Sequence, residues 1–148
     1  MKLRLSTTVS NHYLAIKERF NADLFMSLNP PFPPVKLKRF DGCEKGDKVQ
    51  LQLNFLLFKQ DWQSLITESK TDETEFLFVD EGTQLPFMFS YWRHRHIIRR
   101  VDETTTEIID DIEYKAHVKV LDLLLWPALL LQFAYRKPIY KRQLQAGK

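Results

Sequence analysis

The chain has a single cysteine, Cys43, in 148 residues. That excludes an intramolecular disulfide and any zinc site built from several thiolates, and it fits a reducing compartment. Glycine is nearly as scarce, at four residues, so the glycine-rich loops that cradle phosphates have little to be made from. The N-terminal MKLRLSTTVS alternates apolar and polar residues and lacks the uninterrupted apolar centre of a secretory leader. A strong charge of one sign is missing too. Lys and Arg number 22 against 19 acids, a formal +3, which is too weak a bias to point to nucleic acid or a membrane surface. A cytoplasmic protein is the expectation.

Aromatic bulk, by contrast, is plentiful: 3 Trp, 5 Tyr and 11 Phe. With 44% hydrophobic and 28% charged residues the composition is that of a folded chain, and its length suits one domain, 1–148. Lys2 to Val9 alternates Leu3, Leu5, Thr7 and Val9 against polar neighbours, the period of a strand. Two short helices are expected next. Ser10 or Asn11 caps the first, which carries Tyr13, Ile16 and Phe20; Asn21 or Asp23 caps the second, with Leu24, Phe25 and Leu28. The prolines of NPPFPP, 29–34, end it.

Six strands follow in expectation, each bounded by turn-forming residues: 35–40, 49–57, 61–69, 75–80, 87–100 and 105–114. Connections of hairpin length favour an antiparallel meander over βαβ units. From His117 to Gln145 the chain is Leu-rich with a helical period. Val118, Leu121, Leu125, Ala128 and Gln132 mark one face, and Pro127 is expected to kink it.

One stretch concentrates the chemistry. Tyr91 to Arg100 reads YWRHRHIIRR. Folded back about a turn at Asp102-Glu103-Thr104, it sets Arg99 opposite Glu107, Arg95 opposite Asp111 and Arg93 opposite Glu113. The other face sets Ile98 against Ile108, His96 against Asp110, His94 against Ile112 and Trp92 against Tyr114. A slip of one residue would mix the two faces. The arginines are therefore expected in a solvated ladder of ion pairs, and no nucleic-acid partner is assigned. The second face must look inward, where a carboxylate such as Asp110 needs a partner and His96 is placed to supply it.

The PFxFxxWxHxH-like run from Pro86 to His96, TEIIDDIEY from Thr106 to Tyr114, and a Leu-rich helix reaching FAYR at Phe133 to Arg136 together resemble the SRPBCC (START-like) superfamily. The nearer resemblance is to its bacterial polyketide cyclase/dehydrase and coenzyme-Q-binding-like branch. The resemblance implies an α+β helix-grip fold: a curved seven-stranded antiparallel sheet, two short helices and a long C-terminal helix enclosing a hydrophobic cavity. Members range from lipid carriers to cyclases, so the fold does not settle function.

The expected ligand is a hydrophobic small molecule, such as a lipid, a quinone or a polyketide-like compound. Phe55, Trp62, Phe78, Phe89, Trp92, Ile112, Trp126 and Leu130 are expected to line its cavity, with His94, His96 and Asp110 meeting its polar end. Three uses stay open at this point. The chain is a carrier; or a cyclase or dehydratase in which His96 carries the proton and Asp110 orients it; or an interaction module whose last helix dimerises or docks a partner. His-x-His also occurs on cupin-type metal strands, but their further glutamate and glycines are not at matching spacing here. No metal and no cofactor is assigned.

Val118 to Tyr135 approaches the length of a membrane span but carries Lys119, Asp122, Gln132 and Pro127, so stable insertion is not expected. Its surplus apolarity, with Arg136, Lys137, Lys141 and Arg142 just beyond, points to a homodimer contact or a transient touch on a membrane. Cys43 is expected to be an idle thiol.

Overall fold

The alternating segments pair into one antiparallel sheet. In the computed structural model, which describes residues 1–147, the order is β1 (Lys2–Val9), α1 (Tyr13–Glu18), α2 (Ala22–Ser27), β2 (Val35–Phe40), β3 (Lys48–Asn54), β4 (Lys59–Thr71), β5 (Glu75–Gln84), β6 (Phe89–Asp102), β7 (Thr105–Ala116), α3 (Lys119–Ala134) and α4 (Arg136–Leu144). The strands lie in the order β1-β7-β6-β5-β4-β3-β2, a meander with β1 added beside β7. Helix α3 packs on β7 and β1, α4 on β1, α1 on β5 and β6, and α2 on β2. This is the helix-grip arrangement that the resemblance implies.

Local chemistry accounts for the helix starts. Asn21 caps α2 by accepting from the Leu24 N–H at 3.0 Å, as expected. The cap of α1 is His12 rather than Ser10 or Asn11, its ring nitrogen accepting from Leu14 N–H at 3.3 Å.

Two expectations need correction. The apolar alternation of Phe55 and Leu57 does not continue β3. Its last residue, Asn54, accepts from the Leu56 N–H at 2.9 Å, and the Phe55 N–H reaches the Phe58 carbonyl at 2.9 Å, so the chain turns there. Leu56 takes a positive φ of 74°, and Leu57 is left 95% exposed. The single helix expected from His117 to Gln145 is instead two, divided at Tyr135, and Pro127 stands inside α3. Pro138 explains the place. It has no N–H to give the Ala134 carbonyl and its ring crowds that group, and Ala134 is where α3 ends.

The inner face of the sheet carries two apolar clusters. Ile98, Ile108, Phe76 and Phe78 gather Tyr13, Ile16, Ile139, Tyr140 and Leu144 from the helices. Trp92, Ile112, Tyr114 and Phe89 gather Leu129 and Phe133. Along β6 the inward residues read Trp92, His94, His96, Ile98, so the two histidines fall where one cluster gives way to the other.

Candidate functional site

The β6–β7 register is the one derived from charge and hydrophobicity. Trp92 pairs with Tyr114, Arg93 with Glu113, His94 with Ile112, Arg95 with Asp111, His96 with Asp110, Ile98 with Ile108 and Arg99 with Glu107. The turn itself is tighter than expected, with an irregularity between Arg100 and Asp102.

On the outer face the arginines do meet carboxylates, but only Arg95 takes the facing one, Asp111, at 3.1 Å. Arg93 instead bridges to Glu81 at 3.2 Å and Arg99 to Glu75 at 3.6 Å, both on β5. A central strand has two neighbours, and Glu81 and Glu75 face Arg93 and Arg99 in the β5–β6 register just as Glu113 and Glu107 face them across β7.

The inner face departs further from expectation. His96 does not hold Asp110. Its Nε2 lies 2.7 Å from Asp80 Oδ2 on β5, while His94 Nε2 lies 2.9 Å from Asp110 Oδ1. His94 Nδ1 is also 3.6 Å from Asp80 Oδ2, and the two imidazoles are packed with ring centroids 3.6 Å apart. Phe78 stacks on the far side of His96 at 4.2 Å, nearly parallel. From α4, Tyr140 donates its hydroxyl to Asp110 at 3.2 Å, and Arg136 Nη1 comes within 3.5 Å of Asp110 Oδ1. That Nη1 is buried without a hydrogen-bond partner, and the guanidinium lies over the Phe133 ring.

Electrostatics fix the roles. Burial pushes the Asp110 carboxyl up, but the His94 hydrogen bond and the Arg136 charge outweigh it and hold the group at about 2. Burial opposes the charge on Asp80 as well, yet the His96 hydrogen bond and the neighbouring imidazoles hold it below the ordinary carboxylate range. His96 is pushed down to about 4, first by burial and then by His94 beside it. The Tyr140 phenol is raised, by burial and by Asp110. Carboxylates only accept, so His94 and His96 each give an Nε2–H.

A cavity of about 400 Å³ opens between the sheet, α2 and α3. Of the residues expected on its wall, Phe55, Trp62, Phe78, Phe89, Trp92, His94 and His96 are there. Ile112, Trp126 and Leu130 are not, and Asp110 stands off the wall, bonded to His94. Ile112 is fully buried in the second apolar cluster, against which Trp126 and Leu130 also pack. Trp126 gives its indole N–H to the Lys2 carbonyl at 3.2 Å. The helix residues that do face the cavity are Leu125, Ala128, Leu129, Gln132, Phe133 and Arg136, a set that leaves Trp126 and Leu130 turned aside.

Asp80, Arg136 and Tyr140 were missed by the sequence reading. The signal for Asp80 was present: Phe76, Phe78 and Asp80 alternate, which places the acid on the inner face. Arg136 and Tyr140 continue the Ala128–Gln132 face in steps of four. Cys43 also touches the cavity; burial and then the acids Asp47 and Glu44 push its thiol up to about 12, consistent with an idle group.

No family model and no curated protein matches the chain. Solved structures do match in shape. Zhui aromatase/cyclase from a Streptomyces species superposes with a TM-score of 0.67 at 12% identity, over 99% of this chain and 96% of that one. Protein Ms6760 from Mycobacterium smegmatis gives 0.65 at 16% identity, over 97% and 90%. Truncated norcoclaurine synthase from Thalictrum flavum gives 0.63 at 12% identity, over 94% and 92%. The likeness to these structures is one of fold, and the expected helix-grip fold is the fold found. No helix among the described residues is long and apolar enough to cross a membrane.

Proposed function

We propose that this protein binds a hydrophobic small molecule carrying a polar group, of lipid, quinone or polyketide-like chemistry, inside its cavity. The observation that carries the reading is the cavity itself: about 400 Å³, walled by Phe55, Trp62, Phe89, Trp92 and Leu53, with Asp80, His94, His96 and Arg136 also on its lining. The apolar wall supplies affinity at about 25 cal/mol per Å² of guest surface removed from water. Arg136 Nη1, 3.5 Å from Asp110 but without a hydrogen bond, is the donor that a guest oxygen would satisfy. Native mass spectrometry of freshly purified protein tests this. A bound mass of a few hundred daltons, lost on mild activation, is expected; a bare chain in several preparations would sink the reading.

A second reading is a cyclase or dehydratase acting on a hydrophobic carbonyl compound. It is supported by His96, which faces the cavity while Asp80 holds its Nε2, and by the fold shared with an aromatase/cyclase and with norcoclaurine synthase. Asp80, not Asp110, takes the orienting role in this version. His96→Ala separates the two: a carrier loses retention modestly, whereas an enzyme keeps its guest and loses nearly all turnover.

The outer side of α3 favours a contact with an apolar partner or a second copy, since Leu123, Leu124 and Leu131 are exposed there. Concentration-dependent light scattering, repeated on Leu124→Glu, measures whether that contact forms. The single domain, 1–148, and its cytoplasmic location belong to this proposal.

A further inference from the structure

Asp80 changes what the histidine pair can do. Among the described residues, Asp80, His94 and His96 are the one trio of metal-ligating side chains that converge, with donor atoms all within 4.8 Å of one another. Asp80 Oδ2 is 2.7 Å from His96 Nε2 and 3.6 Å from His94 Nδ1. Ligands about 2.1 Å from a shared ion stand roughly 3.0–3.4 Å apart. Side-chain adjustments on the order of 1 Å therefore close the set around an ion.

Three further features fit a cation at this place. The first is an outer carboxylate. His94 gives its Nε2–H to Asp110 at 2.9 Å, which turns Nδ1 toward Asp80, and a metal-bound histidine is commonly held in this way. The second is charge. Two carboxylates, the half-buried Asp80 and the buried Asp110, flank the histidine pair, with one guanidinium, Arg136, beside Asp110, a setting that favours a bound cation. The third is access. Asp80, His94 and His96 all line the cavity, so the remaining coordination positions open onto the space where a guest sits, as in catalytic rather than closed structural sites.

We propose that Asp80, His94 and His96 form a site for a divalent first-row transition-metal ion, with Asp110 as the outer carboxylate that orients His94. Two imidazoles and one carboxylate select zinc, cobalt or iron over magnesium and calcium, which prefer all-oxygen shells. His96 coordinates through Nε2 and carries its proton on Nδ1, and its hydrogen bond to Asp80 gives way to the shared ion. Metal uptake is measured without any guest, so this proposal and the apolar-ligand reading fail separately.

The test uses the full chain stripped with a chelator. Cobalt(II) titration followed by visible d–d absorption, and zinc(II) equilibrium dialysis, are expected to give one ion per chain. Asp80→Asn and His96→Gln should abolish uptake, Asp110→Asn should weaken it roughly 10–100-fold, and the exposed His117→Ala should leave it unchanged. Excess magnesium should not compete. NMR of the unmutated protein needs no variant to fold: cobalt should shift the ring protons of His94 and His96 before those of His12 and His117. No stoichiometric uptake, uptake surviving both Asp80→Asn and His96→Gln, or first shifts at His12 or His117 would each overturn the site.

Discussion

His96 lies opposite Asp110 in the β6–β7 ladder, yet it bonds Asp80 on β5 at 2.7 Å, while Asp110 is taken by His94 at 2.9 Å. Directly opposite Cβ atoms are only about 5 Å apart, too close for an imidazole and a carboxylate to meet end to end. The diagonal, about 7–8 Å, suits them better. Each histidine therefore reaches across the diagonal, in opposite directions, and the two rings come to rest against each other.

Acid should unfold the chain in two stages, measured by urea titration with a chelator present. His96 is lowered to about 4 in the fold, against an ordinary value near 6.5. The unfolded chain thus binds the extra proton first, and this contribution is complete above pH ~6.5 and lost between there and pH ~4. Asp110, held at about 2, adds stability present above its ordinary value near 3.9 and lost as pH falls from there toward pH ~2. His96→Gln should flatten the upper stage only; an unchanged slope there would show that His96 is not held neutral.

Asp110→Ala should cost about 3–5 kcal/mol in urea unfolding, because it leaves the buried Arg136 Nη1 and the buried His94 without their shared partner. Asp111→Ala, one residue along and facing outward to Arg95 and Arg4, should cost about 1 kcal/mol or less. Equal costs would mean that the inner network is not buried as described.

Leu53→Trp places a larger side chain on the cavity wall. The expected result is a fold retained by circular dichroism and a guest lost from the native mass spectrum. A guest still bound at full occupancy would have its seat elsewhere.

Leu56→Gly should raise stability by about 0.5–1 kcal/mol. Leu56 sits at a φ of 74° and is 77% exposed, so glycine removes backbone strain and sacrifices little burial. A lower urea midpoint would show that Leu56 makes contacts worth more than its strain.

Much of this architecture is legible in residue order. The β6–β7 register could be derived because both faces carried a signal: arginines against acids on one, and isoleucines and aromatics on the other. The end of β3 could not, since Phe55 and Leu57 keep the strand period while Asn54 and Phe58 close a turn beneath them. Asp80 is readable by alternation as an inward residue of β5, but its bond to His96 is not, because β6 has a neighbour on each side and residue order does not say which carboxylate an imidazole takes.

Sequence alone determined which side chains share a face, because strand and helix periods are properties of the local backbone. It also determined that His94, His96 and Asp110 would be buried together. The tertiary structure decided which carboxylate each imidazole holds, and that Arg136 and Tyr140 enter from α4 just past the break at Tyr135. Those choices rest on distances between strands and helices far apart in the chain, and a few ångströms of side-chain reach, invisible in any spacing, settle them.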